Sequence, residues 1–360
     1  MRKAGWVGSF VLLTSAAGIA CGGTSDPVLS PQDNASSSTT TWAGAVDARR
    51  CAGTPQPVAL RRCTVTSAAE PVALAVCGAL AADNTLTVET AGRDVAVSGQ
   101  SRIASPLHVG GSFTSLGGIR GDNTVDVGGD LRTSGAWSVS APARVAGDAY
   151  AGTLRAQNSL DVGGVLHTTS QSGSGSVTAS STLTGSFAVS SPLDCANAVN
   201  VATLAKADAN NDAIVVASPA DVTLGCGEYV VAGIEANKAL TFHVMSDAVL
   251  VVRGDLHVAA PTRFLVDDGV KLDVVVGGSL LVDNTLSFEG GPTWLGVSGM
   301  IHIAAPTTLT GWLVAPTSDV GADNTLVITG GAFVGSLRVA APVALLPGGS
   351  VDATGCVTGG

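Results

Sequence analysis

A five-residue phrase returns along this chain at nearly constant intervals. It reads VGGSF at 109–113, VGGDL at 127–131, VAGDA at 145–149, VGGVL at 162–166 and LTGSF at 183–187. A glycine therefore recurs at Gly111, Gly129, Gly147, Gly164 and Gly185, in steps of 18, 18, 17 and 21 residues. The phrase comes back as VRGDL (252–256), VGGSL (276–280) and VSGMI (297–301), which add Gly254, Gly278 and Gly299, and again as FVGSL (333–337). Between the phrases lie Asp-Asn-Thr at 83, 122, 283 and 323 and Gln-Asn-Ser at 157. They alternate with Ala-Pro or Ser-Pro pairs ending at Pro106, Pro142, Pro192, Pro261, Pro306 and Pro342.

Each part has a physical reading. In GDLHVAAP, Leu256 and Val258 alternate with Asp255 and His257, the two-residue period of a strand with one buried face. Asn side chains bond their own backbone and Pro presets φ, so both mark corners. The phrase glycines are expected to turn corners with positive φ. A unit of this length cannot bury its apolar face alone, but stacked units share one core. The expected fold is all-β: a parallel, right-handed β-helix of about ten coils, on the order of 50 Å long at ~4.8 Å per coil. Low aromatic content, 4%, suits its narrow interior. The competing arrangement is an antiparallel sandwich or barrel, which seldom keeps one glycine phrase at constant spacing.

The ends are organised differently. Arg2 and Lys3 precede an apolar run ending in G-I-A-C, which resembles a bacterial lipobox. Residues 1–20 then read as a lipoprotein signal peptide and Cys21 as the lipid attachment site. Gly22 after it favours the outer membrane. Residues 21–45 are polar and low in complexity, a flexible tether. Residues 46–78 form a small Cys-containing segment, 79–194 the N-terminal coils, and 195–360 a C-terminal β-helix domain. A short helix near 196–209 would cap an open coil end. Six cysteines remain after Cys21, an even number that suits disulfides in an exported chain. Cys195 and Cys226 lie a hundred residues or more from the others and are expected to pair. Cys51, Cys63, Cys77 and Cys356 are left unassigned.

The V-x-G-x-L phrase resembles the repeats of bactofilins, bacterial cytoskeletal proteins, and so implies a β-helix with self-association open to it. Residues 192–345 resemble the C-terminal domain of an uncharacterised family of myxobacterial-type lipoproteins. The matching pieces are PLDC (192–195), LGCGEYVV (224–231), VLVVRGDL (249–256), VKLDVVVGGSL (270–280) and LTGWLVAPTSDV (309–320). That resemblance implies export, a β-helix and a cell-surface place, with no established activity.

The formal charge is −10 and the sequence carries no basic stripe, which argues against nucleic acid as a partner. Asp126, Asp130, Asp148 and Asp161 lie near the glycine corners one coil apart, and paired carboxylates could serve as acid and base or hold Ca²⁺. His257 and His302 share one place in the repeat with His167, Arg132 and Arg338, an expected outward column. Leu281 between the two histidines speaks against a metal. No cofactor is implied and no catalytic residue is assigned. The expected function is a non-enzymatic, lipid-anchored rod at the cell envelope: scaffold, spacer or adhesion module. Its expected partners are the membrane through the lipid, envelope polysaccharide or other surface proteins. The alternative is a carbohydrate-binding or polysaccharide-cleaving β-helix enzyme.

Overall fold

The computed structural model describes residues 45–46, 72–89, 93–205, 213–348, 350–351 and 357–358. The signal peptide, Cys21, Cys51, Cys63 and Cys356 lie outside the described residues, as does nearly all of the tether. Within them, short strands follow one another in triplets, and each triplet stacks in parallel on the next. The result is a β-solenoid of about 13 turns, or ~60 Å of rod at ~4.8 Å per turn.

The solenoid has three faces. Face A begins each coil, as in Val72–Val76, Asp94–Val97 and Phe113–Ser115; face B follows, as in Leu80–Ala82, Ser101–Ile103 and Ile119–Gly121. Face C closes the turn with Leu86–Val88, Leu107–Val109 and Val125–Val127. On faces B and C the pattern is apolar in, polar out, as the two-residue period predicts. The interior is filled mainly by Val, Leu, Ile and Ala, with some aromatic rings stacked in register. Phe242, Phe264 and Phe288 form one such ladder, with centroids 4.5 Å apart. These ladders are parallel throughout. The antiparallel pairings involve two-residue strands: Ala45–Val46 on Gly227–Val231, and Ser350–Val351 on Val72 and on Val357–Thr358.

The order of coils along the rod is not their order along the chain. The first described coil, 72–88, lies in the middle of the rod. From there the chain winds outward to Ser181–Thr184, then returns along the side of the rod. It begins again at Ile214–Val216 at the opposite end and winds back. Its last coil stacks on the first: Ala332–Val334 pairs with Leu74–Val76, Leu337–Val339 with Leu80–Ala82, and Val343–Leu345 with Leu86–Val88. Cys77 N donates to Val334 O at 2.9 Å and Val343 N to Thr85 O at 3.0 Å, so this seam carries the same ladder bonds as any other step.

The corners explain how the seam stays in register. At the corner between faces B and C, Asp-Asn-Thr and Ala-Pro corners alternate coil by coil. Both solve one problem, the N–H of the third corner residue. Asn84 Oδ1 accepts it from Thr85 at 2.7 Å, while in the Pro corner it does not exist. The Asn amide also reaches the neighbouring Pro-type corner: Asn324 Nδ2 donates to Ala304 O at 3.1 Å and Asn123 Nδ2 to Ala104 O at 3.4 Å. Across the seam, Asn84 Nδ2 donates to Ala340 O at 3.3 Å, in phase with the rest. A slip of one coil would set like corners against each other. Asn84→Ala should therefore cost about 1 kcal/mol in denaturant unfolding. An unchanged midpoint would mean that the two halves do not meet here.

The returning segment covers face A. Strands there are largely apolar on both sides and buried, as in Ala248–Val252; Leu272–Val276 follows the same pattern except at Asp273, a buried carboxylate. One set of side chains enters the bore. The other, including Val251, Val275, Trp312 and Phe333, packs under Leu193, Val201 and Leu204 of the return. Such continuous apolar runs are what a doubly covered parallel strand requires. Helix formation in the return is shorter than expected: a 3-10 turn at Cys195–Asn197 and an α-helical turn at Val201–Leu204, capped by Asn200. This helix lies against the side of the rod, near Leu272–Val276, and does not cap a coil end.

The expected Cys195–Cys226 disulfide is not formed. Cys195 is bonded to Cys77, 118 residues earlier. The return passes over the first coil before it reaches the far end of the rod, and this brings Cys195 to the seam.

Candidate functional site

The phrase V-G-G-D-L is resolved by its hydrogen bonds. Asp130 Oδ1 accepts from the backbone N–H of Asp148, one coil on, at 2.9 Å. Asp148 Oδ1 accepts from Val165 N at 2.7 Å, and Asp255 Oδ1 from Ser279 N at 2.7 Å. Each carboxylate leans over the next coil's corner and occupies the space where a Cβ would stand on Gly147, Gly164 or Gly278. The phrase glycines Gly111, Gly129, Gly147, Gly164, Gly185, Gly254, Gly278 and Gly299 are not in the left-handed region. The expectation of positive φ is thus corrected. Most of them are needed for close stacking: a Cβ on Gly129 would lie 2.9 Å from Gly111 C, and one on Gly299 2.6 Å from Gly278 O. Gly185, beyond the last coil, has nothing within 4 Å.

This changes the standing of the acidic candidates. Asp130 spends one oxygen on the next coil and the other on Arg132, at 2.8 Å. Asp148 caps a backbone N–H and faces the Tyr150 hydroxyl at 3.5 Å. Small neighbours do not leave these carboxylates loosely held; the coil above holds them. Asp126 and Asp161 are not at that corner. They stand on face C in one column with His108 and Arg144, in the order His108, Asp126, Arg144, Asp161, a cross-strand alternation of charge. Asp126 lies 3.1 Å from His108 Nδ1.

The expected outward column divides between two faces. His257, Leu281, His302 and Arg338 do share a column, on face B. Each histidine faces the corner carboxylate of the next coil, His257 with Asp283 at 2.9 Å and His302 with Asp323 at 3.8 Å. Arg132 and His167 belong to face A, with Tyr150 between them. Tyr150 and His167 stack at 4.3 Å and 6°, Phe187 meets both edge-on, and the Arg132 guanidinium lies 5.6 Å from the Tyr150 centroid. Burial first, and then the charge of Asp148, raise the Tyr150 pKa above its usual value. A groove of about 370 Å³ runs from this stack under the return at Val189–Pro192, with Asp94, Ser112 and Thr114 on its floor. Both faces of the Tyr150 ring are occupied, so the groove presents no free aromatic platform. Sequence reading missed the stack because His167, Tyr150 and Phe187 belong to three separate strands or turns. Among the described residues, no three His, Cys, Asp or Glu side chains converge on a point where a metal could sit.

No protein-family model, no curated protein and no solved structure matches this chain.

Proposed function

We propose that this chain is a lipid-anchored, non-enzymatic rod of the outer membrane or cell surface, serving as scaffold, spacer or adhesion module. One observation carries the reading. The strongest catalytic candidates, Asp130 and Asp148, are built into the stacking of the coils, each holding the backbone of its neighbour. A general acid or base must be free to exchange a proton with a substrate. A carboxylate that caps the backbone of the next coil's half-buried corner serves the length of the rod instead. The anchor rests on the lipobox-like G-I-A-C, and the export it implies suits a disulfide between Cys77 and Cys195.

Cys21→Ala should move the protein from the membrane fraction to the soluble or secreted fraction. Unchanged fractionation would remove the anchor from this reading. Turnover is the second arm. No product should be released from a panel of neutral and acidic polysaccharides. Product release abolished by Asp148→Ala, in a variant that keeps its far-UV spectrum, would replace the rod by the enzyme.

A further inference from the structure

Face B gathers arginines that are scattered along the chain. Arg338, Ala81, Arg102, Arg120, Ser138 and Arg155 occupy one outward column on six successive coils, across the seam. The column is about 24 Å long at ~4.8 Å per coil. The side chains are exposed: Arg338 65%, Arg102 53% and Arg120 61%. Asp83 is shared by Arg102 at 2.9 Å and Arg338 at 3.6 Å, and Asp122 binds Arg120 at 2.8 Å. Arg155 has no ion-pair partner among the described residues. Four guanidinium groups thus face two carboxylates, in a chain whose formal charge is −10.

We propose that this column is a docking surface for a linear polysaccharide that carries a carboxylate on successive sugars, lying along the rod axis. Three features select that partner. The basic groups lie in one line, so an extended polymer meets several at once while a compact anion meets one. All four are arginine, whose planar fork binds a carboxylate through two parallel hydrogen bonds. The intervening positions are Ala81 and Ser138, and the preceding corners carry Gly78, Gly99, Gly117 and Gly135, so the face is low and open between the arginines. Duplex nucleic acid fits less well, because the stripe is one residue wide and face C beside it carries Asp126 and Asp161.

This gives the proposed rod a partner, but the binding does not depend on the anchor. It is measured with purified full-length protein on immobilised polygalacturonate, with dextran as the neutral polymer. Retention is expected on polygalacturonate at 20 mM salt, about tenfold weaker or absent at 200 mM, where the Debye length is below ~10 Å. Arg102→Ser, Arg120→Ser and Arg155→Ser together should weaken retention about tenfold or more. A charge-matched control, Arg144→Ser, Arg263→Ser and Lys238→Ser, should stay within about twofold. Thermal melts must show both variants folded; if the triple variant is not, Arg155→Ser alone is compared and should weaken retention. Retention equal on dextran, equal in stripe and control variants, stronger on duplex DNA, or absent at low salt would each overturn the proposal. None of these outcomes bears on fractionation of Cys21→Ala.

Discussion

Gly147→Val should cost the protein about 3 kcal/mol or more, whereas Gly185→Val should change stability by less than about 0.5 kcal/mol. Both glycines occupy the same place in the repeated phrase, so sequence alone gives no reason to separate them. The coil beneath separates them. A Cβ on Gly147 would overlap Asp130 Oδ1 and lie 3.0 Å from the backbone of Gly129. To make room, the carboxylate must leave Asp148 N, which loses a charge-assisted bond, and two backbone layers must part. The carboxylate can swing aside only by giving up that bond, and the Gly129 backbone at 3.0 Å must still yield by a few tenths of an ångström. Around Gly185 nothing lies within 4 Å. Gly147→Ala distinguishes stacking from backbone strain: it should lose most of what Val loses, because the first carbon already meets the obstacle. Denaturant unfolding of the three variants decides the matter. Equal losses at 147 and 185 would show that the phrase is preserved for some reason other than coil contact.

Much of this fold was legible because a solenoid repeats its constraints. The alternation in GDLHVAAP reported a strand with one face inward, and the Asn and Pro corners reported where each coil turns. The glycines were correctly placed at corners for the wrong reason. Sequence shows that a side chain is missing, but not whether torsion or a neighbour forbids it. The length was also underestimated, because segments such as IVVASPADVTLGCGEYVV lack the glycine phrase and still form full coils.

What remained illegible is the spatial order of the coils. Any coil with an apolar interior and parallel edges can stack on any other, so periodicity does not state which neighbours which. The corner alternation narrows the choice to every second coil, and the bond from Asn84 to Ala340 shows that the seam obeys it. The continuous apolar runs, such as VALAV at 72–76 and AVLVV at 248–252, were the available sign that something covers face A. The arginine column also left a trace. Arg102, Arg120, Ser138 and Arg155 follow steps of 18, 18 and 17, the same steps as the first glycines. A sequence without a basic run can still fold into a basic stripe when its period equals one coil.

Cys77→Ser or Cys195→Ser should each lower stability by about 2–4 kcal/mol, and the double variant should lose no more than either single. Cross-linking residues 118 apart removes a large amount of freedom from the unfolded chain. That span contains every coil from the seam to one outer end, so the bond ties the return to the seam coil in the middle of the rod. In the folded state, the bond holds Leu193 and its neighbours against Val72, Ala75 and Ala96 at the seam. Without it, the short helix at Val201–Leu204 must hold the return by packing alone, and a single helical turn has little stability of its own. The variants should therefore also bind more of a dye that reports exposed apolar surface, as Val314 and Phe333 lose their cover. Peptide mapping under non-reducing conditions supplies the direct check. A cross-linked pair containing Cys77 and Cys195 is expected. Additive losses in the double variant, or Cys195 found joined to Cys226, would mean that the return does not cross the seam. The coils would then have to be ordered as the chain orders them.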